Sequence, residues 1–385
     1  MEPLLIAESS PHRKKLTDLV MELASKSAAF KSSLPSPIRI SLATLVRGMN
    51  CYYSNLIEGH DIHPIAIEQA LQGHYSNDIK KRNLQLEAKA HILVQEWIDN
   101  GGIQGSLFSK ATIRQIHTEF CSLLPEDLLW IENPTTKKKI QVVPGQLRQQ
   151  DVIVANHIAI SPGAVDRFLS YSENIYHRLG KAETVLALAA AHHRLLWIHP
   201  FLDGNGRVAR LQSYAITLQL LDSCGLWSIA RGLAQNVSEY KSHLANCDLR
   251  RRNDLDGRGN LSQEALIDFT YFFLRTCIDQ INFMEKLMQP DNLRARILVW
   301  AKEEVSLGNL PSQSIQILDA ILYRGEISRG EISGILNITD RHARRITSSL
   351  IDKGILTSAT PRAALKLAFP ATLASRLLPG LFPPE

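Results

Sequence analysis

No stretch of this 385-residue chain approaches the ~20 consecutive apolar residues of a membrane-spanning helix, so no membrane partner is expected. The first residues hold too short an apolar run for a secretory signal. Cysteine is scarce and badly spaced: Cys51, Cys121, Cys224, Cys247 and Cys277 are odd in number and form no C-x-x-C pair. That argues against both a disulfide framework and a zinc site, and for reduced core thiols in a cytoplasmic protein. Charge of one sign is also lacking, with 43 Lys and Arg against 38 Asp and Glu, a net +5. Such a mildly basic chain admits a nucleotide or nucleic-acid partner without requiring one. Internal repeats and low-complexity tracts are absent. A hydrophobic content of 45% allows a sizeable core, and the length suggests two or three units.

Apolar residues mostly recur at helical spacing and strand-like runs are few, so the chain reads as mainly α. A basic amphipathic segment covers 12–30, and Pro35 and Pro37 break it. Helices are expected over 38–56, over 84–99 before Asn100-Gly-Gly102, and from Pro162 through Leu221, with 109–123 opening the central region. The β-branched runs at 139–143 and 151–154, around Pro144-Gly145, suggest a hairpin. Residues 222–290 read as further helices interrupted by a charged loop, 250–259. After Pro311 the pattern is helix (312–323), turn at Gly325, short helix (328–336), helix (340–353), then short strands at 355–356 and 365–369. That order looks like a winged helix-turn-helix. The tail from Leu377, with prolines at 379, 383 and 384, is expected to be irregular.

The most informative segment is His199-Pro-Phe-Leu-Asp-Gly-Asn-Gly-Arg-Val-Ala-Arg210. It follows a long apolar run, 184–198, that reads as one buried helix. His199 precedes a proline, which pushes it out of the helical region and should end that helix. Gly204 and Gly206 permit a tight turn whose N–H groups form an anion nest, and a helix starting near Gly206 adds its positive N-terminus. An imidazole titrates close to working pH, so His199 is the natural general base. Asp203 is a hard carboxylate suited to Mg²⁺. The backbone of 204–206 and the Asn205 side chain can cradle phosphates, and Arg207 and Arg210 can pair with them through planar forks. This is equipment for a nucleoside triphosphate. His192 and His193 lack such a setting and read as packing residues.

The segment resembles the signature of the Fic family, HxFx[DE]GNGRxxR, at every fixed position. The resemblance implies an all-helical core that uses ATP and Mg²⁺ to transfer AMP to a Ser, Thr or Tyr hydroxyl of a target protein, with His199 as base. It also implies roles upstream. Residues 143–148 and 151–154 look like the family's hairpin flap, which holds the target backbone; Val143, Gly145, Arg148, Val152 and Val154 would line it. Ser54-Asn-Leu-Ile-Glu58-Gly59 matches [ST]xxxE[GN], the inhibitory-helix motif. There Glu58 would pair with Arg210 and deny it to the γ-phosphate, with Ser54 at the motif's first position. The second glycine of GNGR is kept, which argues against a kinase-like Doc variant.

The expected division is a helical region with the inhibitory helix at 1–105, a Fic core at 106–222, a helical extension at 223–290 and a winged-helix-like domain at 291–385. Such a C-terminal attachment is common in bacterial relatives, which suggests a bacterial source, and relatives often dimerise. On the helix beginning near Asp340, Thr339 can cap the N-terminus and Ala343, Ile346, Leu350 and Ile351 form an apolar stripe. Arg341, Arg344 and Arg345 are left exposed. They could meet DNA, or the domain could serve protein contacts. Two rivals to AMP transfer stand beside it: removal of AMP by a water at the same site, and a DNA-binding regulator with a nucleotide-sensing core.

Overall fold

The computed structural model describes residues 1–132, 137–154 and 157–383. In chain order the elements are α1 (Arg13–Ser32), α2 (Ser36–Ile57), α3 (Pro64–Leu71), α4 (Ile79–Asp99), α5 (Lys110–Ser122), β1 (Trp130–Glu132), β2 (Lys139–Gln141), β3 (Ile153–Val154), β4 (His157–Ile158), α6 (Pro162–Tyr176), α7 (Lys181–Leu186), α8 (Leu188–Ile198) and α9 (Asn205–Leu220). There follow α10 (Ile229–Gln235), α11 (Val237–Cys247), α12 (Gln263–Leu287), α13 (Pro290–Ser306), α14 (Ser314–Arg324), β5 (Glu326–Ile327), α15 (Ile332–Leu336), α16 (Asp340–Asp352), β6 (Leu356–Thr357), β7 (Leu365–Leu367) and α17 (Ala371–Leu377). The fold is mainly helical with small antiparallel sheets, as the periodicity implied.

The chain divides into two units: 1–27, 50–223 and 228–280 form one, and 28–49, 224–227 and 281–385 the other. In the first unit α8 and α9 pack against each other, and α4, α5 and α7 also pack on α9. Every residue of α9 from Arg207 to Thr217 is buried, so this helix is enclosed rather than amphipathic. Val208 and Leu211 are fully buried in it, and each such side chain contributes roughly 1.5–3 kcal/mol. The apolar run read as one helix is two, α7 and α8, parted at Ala187.

The hairpin expected from 139–143 and 151–154 is not formed. The two runs pair with nearer neighbours instead: Ile140 sits opposite Ile131 in β1–β2, and Ile153 opposite Ile158 in β3–β4. Helix α3 was not expected; it is only eight residues long, with Pro64 at its start and the His63 ring accepting the Ile65 N–H.

In the second unit, α13 packs on α14 and α17, and α15 on α16. The strands form an antiparallel sheet of order β5-β7-β6, with Ile327 opposite Leu365 and Leu356 opposite Leu367. The three helices followed by a hairpin fall where the sequence puts them. Strand β5, helix α13 and helix α17 are additions, the last ending at Leu377, where the tail read as irregular begins. Thr339 caps α16 by accepting the His342 N–H, and Ala343, Ile346 and Leu350 are buried beneath it. Thr347 joins that face where Ile351, only partly covered, was expected.

Candidate active site

Residues 199–210 link α8 to α9 as a tight loop. Helix α8 stops at His199, as the following proline requires, but His199 is left-handed (φ 51°, ψ 64°) rather than extended. A non-glycine residue there costs of order 1–3 kcal/mol and needs outside support. Arg148 supplies it. Its Nε donates to the His199 carbonyl at 2.7 Å, its remaining nitrogens donate to the carbonyls of Gln150, Ile160 and Ile198, and its own N–H donates to Pro200 O at 2.9 Å. Arg148 is buried. The resemblance had put it on the target-facing flap; the structure turns it inward, because four carbonyls of the loop and its neighbours converge on its guanidinium.

Asn205 likewise has another task than holding phosphate. Its Oδ1 accepts the Phe201 N–H and its Nδ2 donates to Phe201 O, both at 2.9 Å. This buried side chain closes the turn. Gly204, at φ 77°, is the N-cap of α9 and takes the backbone where other residues are strained. The motif is therefore braced from within by Asn205 and from outside the loop by Arg148.

His117 on α5 joins this loop to the segment holding Gly145. Its ring stacks on Phe201 with centroids 3.8 Å apart. Nδ1 accepts the Gly145 N–H at 2.8 Å, which leaves Nε2 to donate toward Asp203 O at 3.3 Å. Gly145, at φ 70°, is pressed so close to α5 that an added Cβ would lie 2.2 Å from Thr118 Oγ1. Gly145 is thus packed, whereas Val143 and Val154 are exposed and Val152 is partly covered. The β3–β4 pair also exposes Ile153 and Ile158, and His157 Nε2 donates to Trp197 O at 2.8 Å, near the end of α8.

Burial pushes the His199 imidazole down to about 4, with the Arg148 charge adding to the effect, so the ring is neutral near neutral pH. Asp203 is half exposed, with Oδ2 3.7 Å from Arg207. Among the described residues no three His, Cys, Asp or Glu side chains gather as a metal cage. A lone exposed carboxylate suits Mg²⁺, which keeps most of its ligands as water and phosphate oxygens. His192 and His193 are packing residues: His192 bonds Ser213 and Tyr240, His193 bonds Asp248, and burial pushes them down to about 3 and 4.

Arg207 and Arg210 are both buried and both ion-paired. Arg210 donates from Nε to Ser54 Oγ at 2.8 Å, and from its terminal nitrogen to Ser54 O at 3.1 Å and Glu58 Oε1 at 2.5 Å. Ser54 lies in the last turn of α2 and Glu58 just past its end, 152 residues or more from Arg210 in sequence. An added Cβ on Gly206 would lie 2.3 Å from Glu58 Oε1, so the carboxylate rests against the glycine turn itself. Burial opposes ionisation of Glu58, but the Arg210 charge and hydrogen bond outweigh it, with help from Arg207 and His60, and the carboxyl titrates below its usual range. Arg207 pairs with Glu87 of α4 at 3.0 Å. Neither Glu87 nor its second partner, His60, stands out in the sequence; they meet the motif only through folding.

A helical domain carrying a histidine loop, a glycine turn at a helix N-terminus and two buried arginines defines the class: a Fic-type domain. Residues 107–216 match the family model described as Fic/DOC family, and this chain carries a domain of that family. It is 26% identical over 211 residues to a protein adenylyltransferase Fic of Drosophila erecta, covering 53% of this chain and 41% of that one. It is 29% identical over 106 residues to a protein adenylyltransferase Fic of Nematostella vectensis, covering 26% of this chain and 23% of that one. These matches thus span less than half of either relative. A Fic family protein from Desulfovibrio desulfuricans G20 has a similar fold, with a TM-score of 0.54 at 14% identity over 94% of this chain and 98% of that one. No described helix is long and apolar enough to cross a membrane.

Proposed function

We propose that this chain is a protein adenylyltransferase that moves AMP from ATP to a hydroxyl of a target protein and is restrained by Glu58. The target oxygen attacks the α-phosphorus, the new P–O bond forms, the bridging α–β P–O bond breaks and pyrophosphate departs. His199 takes the hydroxyl proton at a ring nitrogen, a task its neutral state allows. The N–H groups at the start of α9 and the Arg207 and Arg210 guanidinia face the phosphates and offset their charge. Asp203 would hold Mg²⁺, which when bound supplies positive charge to the phosphate oxygens.

The observation that carries the reading is the contact of Glu58 with Arg210 and Gly206. A carboxylate resting on a glycine turn at a helix N-terminus marks that turn as an anion site and occupies it at once. Withdrawal of Glu58 would free Arg210 for the outer phosphate. The exposed edge of the β3–β4 pair, with Ile153, Val154 and Ile158, offers the target an extended backbone partner near the end of α8. On α16, Arg341, Arg344 and Arg345 are exposed, and this helix is the candidate contact for DNA. Incubating the Glu58→Gly protein with ATP labelled in turn on the α- and γ-phosphate tests the reaction. Label from the α-position alone supports AMP transfer; label from the γ-position alone would mean phosphoryl transfer and refute it.

A further inference from the structure

Arg207 and Arg210 are paired in different ways. Glu58, about one-third exposed, reaches Arg210 from the edge of the site. Glu87 is more enclosed and meets an Arg207 side chain that is 6% exposed. The Arg207 guanidinium lies over the Phe120 ring, 4.8 Å from its centroid. One terminal nitrogen donates to Glu87 Oε2 at 3.0 Å, while the other lies 3.7 Å from Asp203, on the open side. Arg207 is therefore held at one terminal nitrogen by Glu87 and at its face by Phe120, while its other terminal nitrogen lies toward Asp203. The same Glu87 oxygen is bonded by His60 Nδ1 at 2.8 Å. That bond raises the His60 pKa, against its burial, while His60 and Arg207 together overcome the burial of Glu87 and hold its carboxyl below the usual range.

We propose that Glu87 is a positioning residue for Arg207, steadied from its other side by His60, and not a second inhibitory carboxylate. The assignment rests on the adenylyltransferase reading. A competitor for phosphate has to leave, as Glu58 would; Glu87 bonds the Arg207 nitrogen other than the one nearest Asp203 and need not move when the nucleotide binds. Its loss would leave the Arg207 charge in place but its direction unset.

The test uses the full-length Glu58→Gly protein as parent, with Glu87→Gln, Glu87→Asp or His60→Gln added, and reads kcat, KM for ATP and thermal midpoint. In Glu87→Gln, kcat should fall roughly 10-fold or more, since a ~1 Å misplacement at a reacting group can cost 10²-fold. KM for ATP should change less than about threefold. Glu87→Asp should recover part of the rate, and His60→Gln, at a position about one-third exposed, should lower kcat several-fold without moving KM. A faster Glu87→Gln enzyme with lower KM would make Glu87 a competitor and overturn the assignment. Full activity in both Glu87→Asp and His60→Gln would also overturn it, even if Glu87→Gln did not fold. A parent that transfers no AMP would refute the adenylyltransferase reading together with this assignment; an active parent matched by Glu87→Gln would refute this assignment alone.

Discussion

Arg148→Met should damage both the stability and the chemistry of the first unit. The guanidinium is buried and donates to the carbonyls of Gln150, Ile160, Ile198 and His199. Hydrogen bonds from a charged group are worth about 1.5–3 kcal/mol each, and four acceptors on one donor do not add in full. Methionine keeps much of the stem's packing and removes the donors, so a net loss of about 3 kcal/mol is expected. A unit of this size moves about 2–4 °C per kcal/mol, which places the fall in Tm at about 6–12 °C. The left-handed His199 loses its main restraint in the same step. AMP transfer in the Glu58→Gly background should therefore fall by ~10²-fold while MgATP still binds, because the Arg148 guanidinium is taken up by backbone carbonyls. Calorimetric melting and a labelled-AMP assay read the two effects separately. Unchanged melting with unchanged transfer would refute the claim that Arg148 sets the loop.

Two further outcomes follow from charge. The folded-state pKa of Glu58 lies below its unfolded value, so the Glu58–Arg210 pair stabilises the fold above the ordinary carboxyl pKa and that contribution disappears as pH falls through the depressed value. Thermal midpoints of wild type and Glu58→Gln should thus differ at pH 7 and converge as pH drops below about 4; a gap that widens in acid would contradict the sign. In the second unit, replacing Arg344 and Arg345 by Ala should weaken binding of the full chain to genomic DNA fragments and flatten its salt dependence. Equal binding by variant and wild type would remove α16 from the DNA-contact reading.

What was legible in the sequence was local. The loop at 199–210 packs histidine, carboxylate, glycines and arginines into twelve adjacent residues, and the end of α2 carries its glutamate in a short recognisable run. Helical periodicity is equally local, so most helices fell where their apolar spacing put them. The rest depended on partners that adjacency does not show. Arg148 and Asn205 look like phosphate or target ligands until their acceptors are seen to be backbone carbonyls, which carry no mark in a sequence. Glu87 lies 120 residues from Arg207, and only the packing of α4 on α9 unites them. The runs at 139–143 and 151–154 were β-branched enough to announce strands but not to choose partners, and each paired with a strand nearer in sequence.

The central claim is that Glu58 restrains an adenylyltransferase whose base is His199. The most direct measurement is the rate of α-phosphate label transfer to protein at saturating MgATP, with cell extract as acceptor, for wild type, Glu58→Gly and Glu58→Gly/His199→Ala. The account predicts slow transfer by wild type, a marked rise in Glu58→Gly, and a fall of ~10²–10⁴ from that level when His199 is also removed. Equal rates for wild type and Glu58→Gly, or full transfer by the double variant, would contradict it.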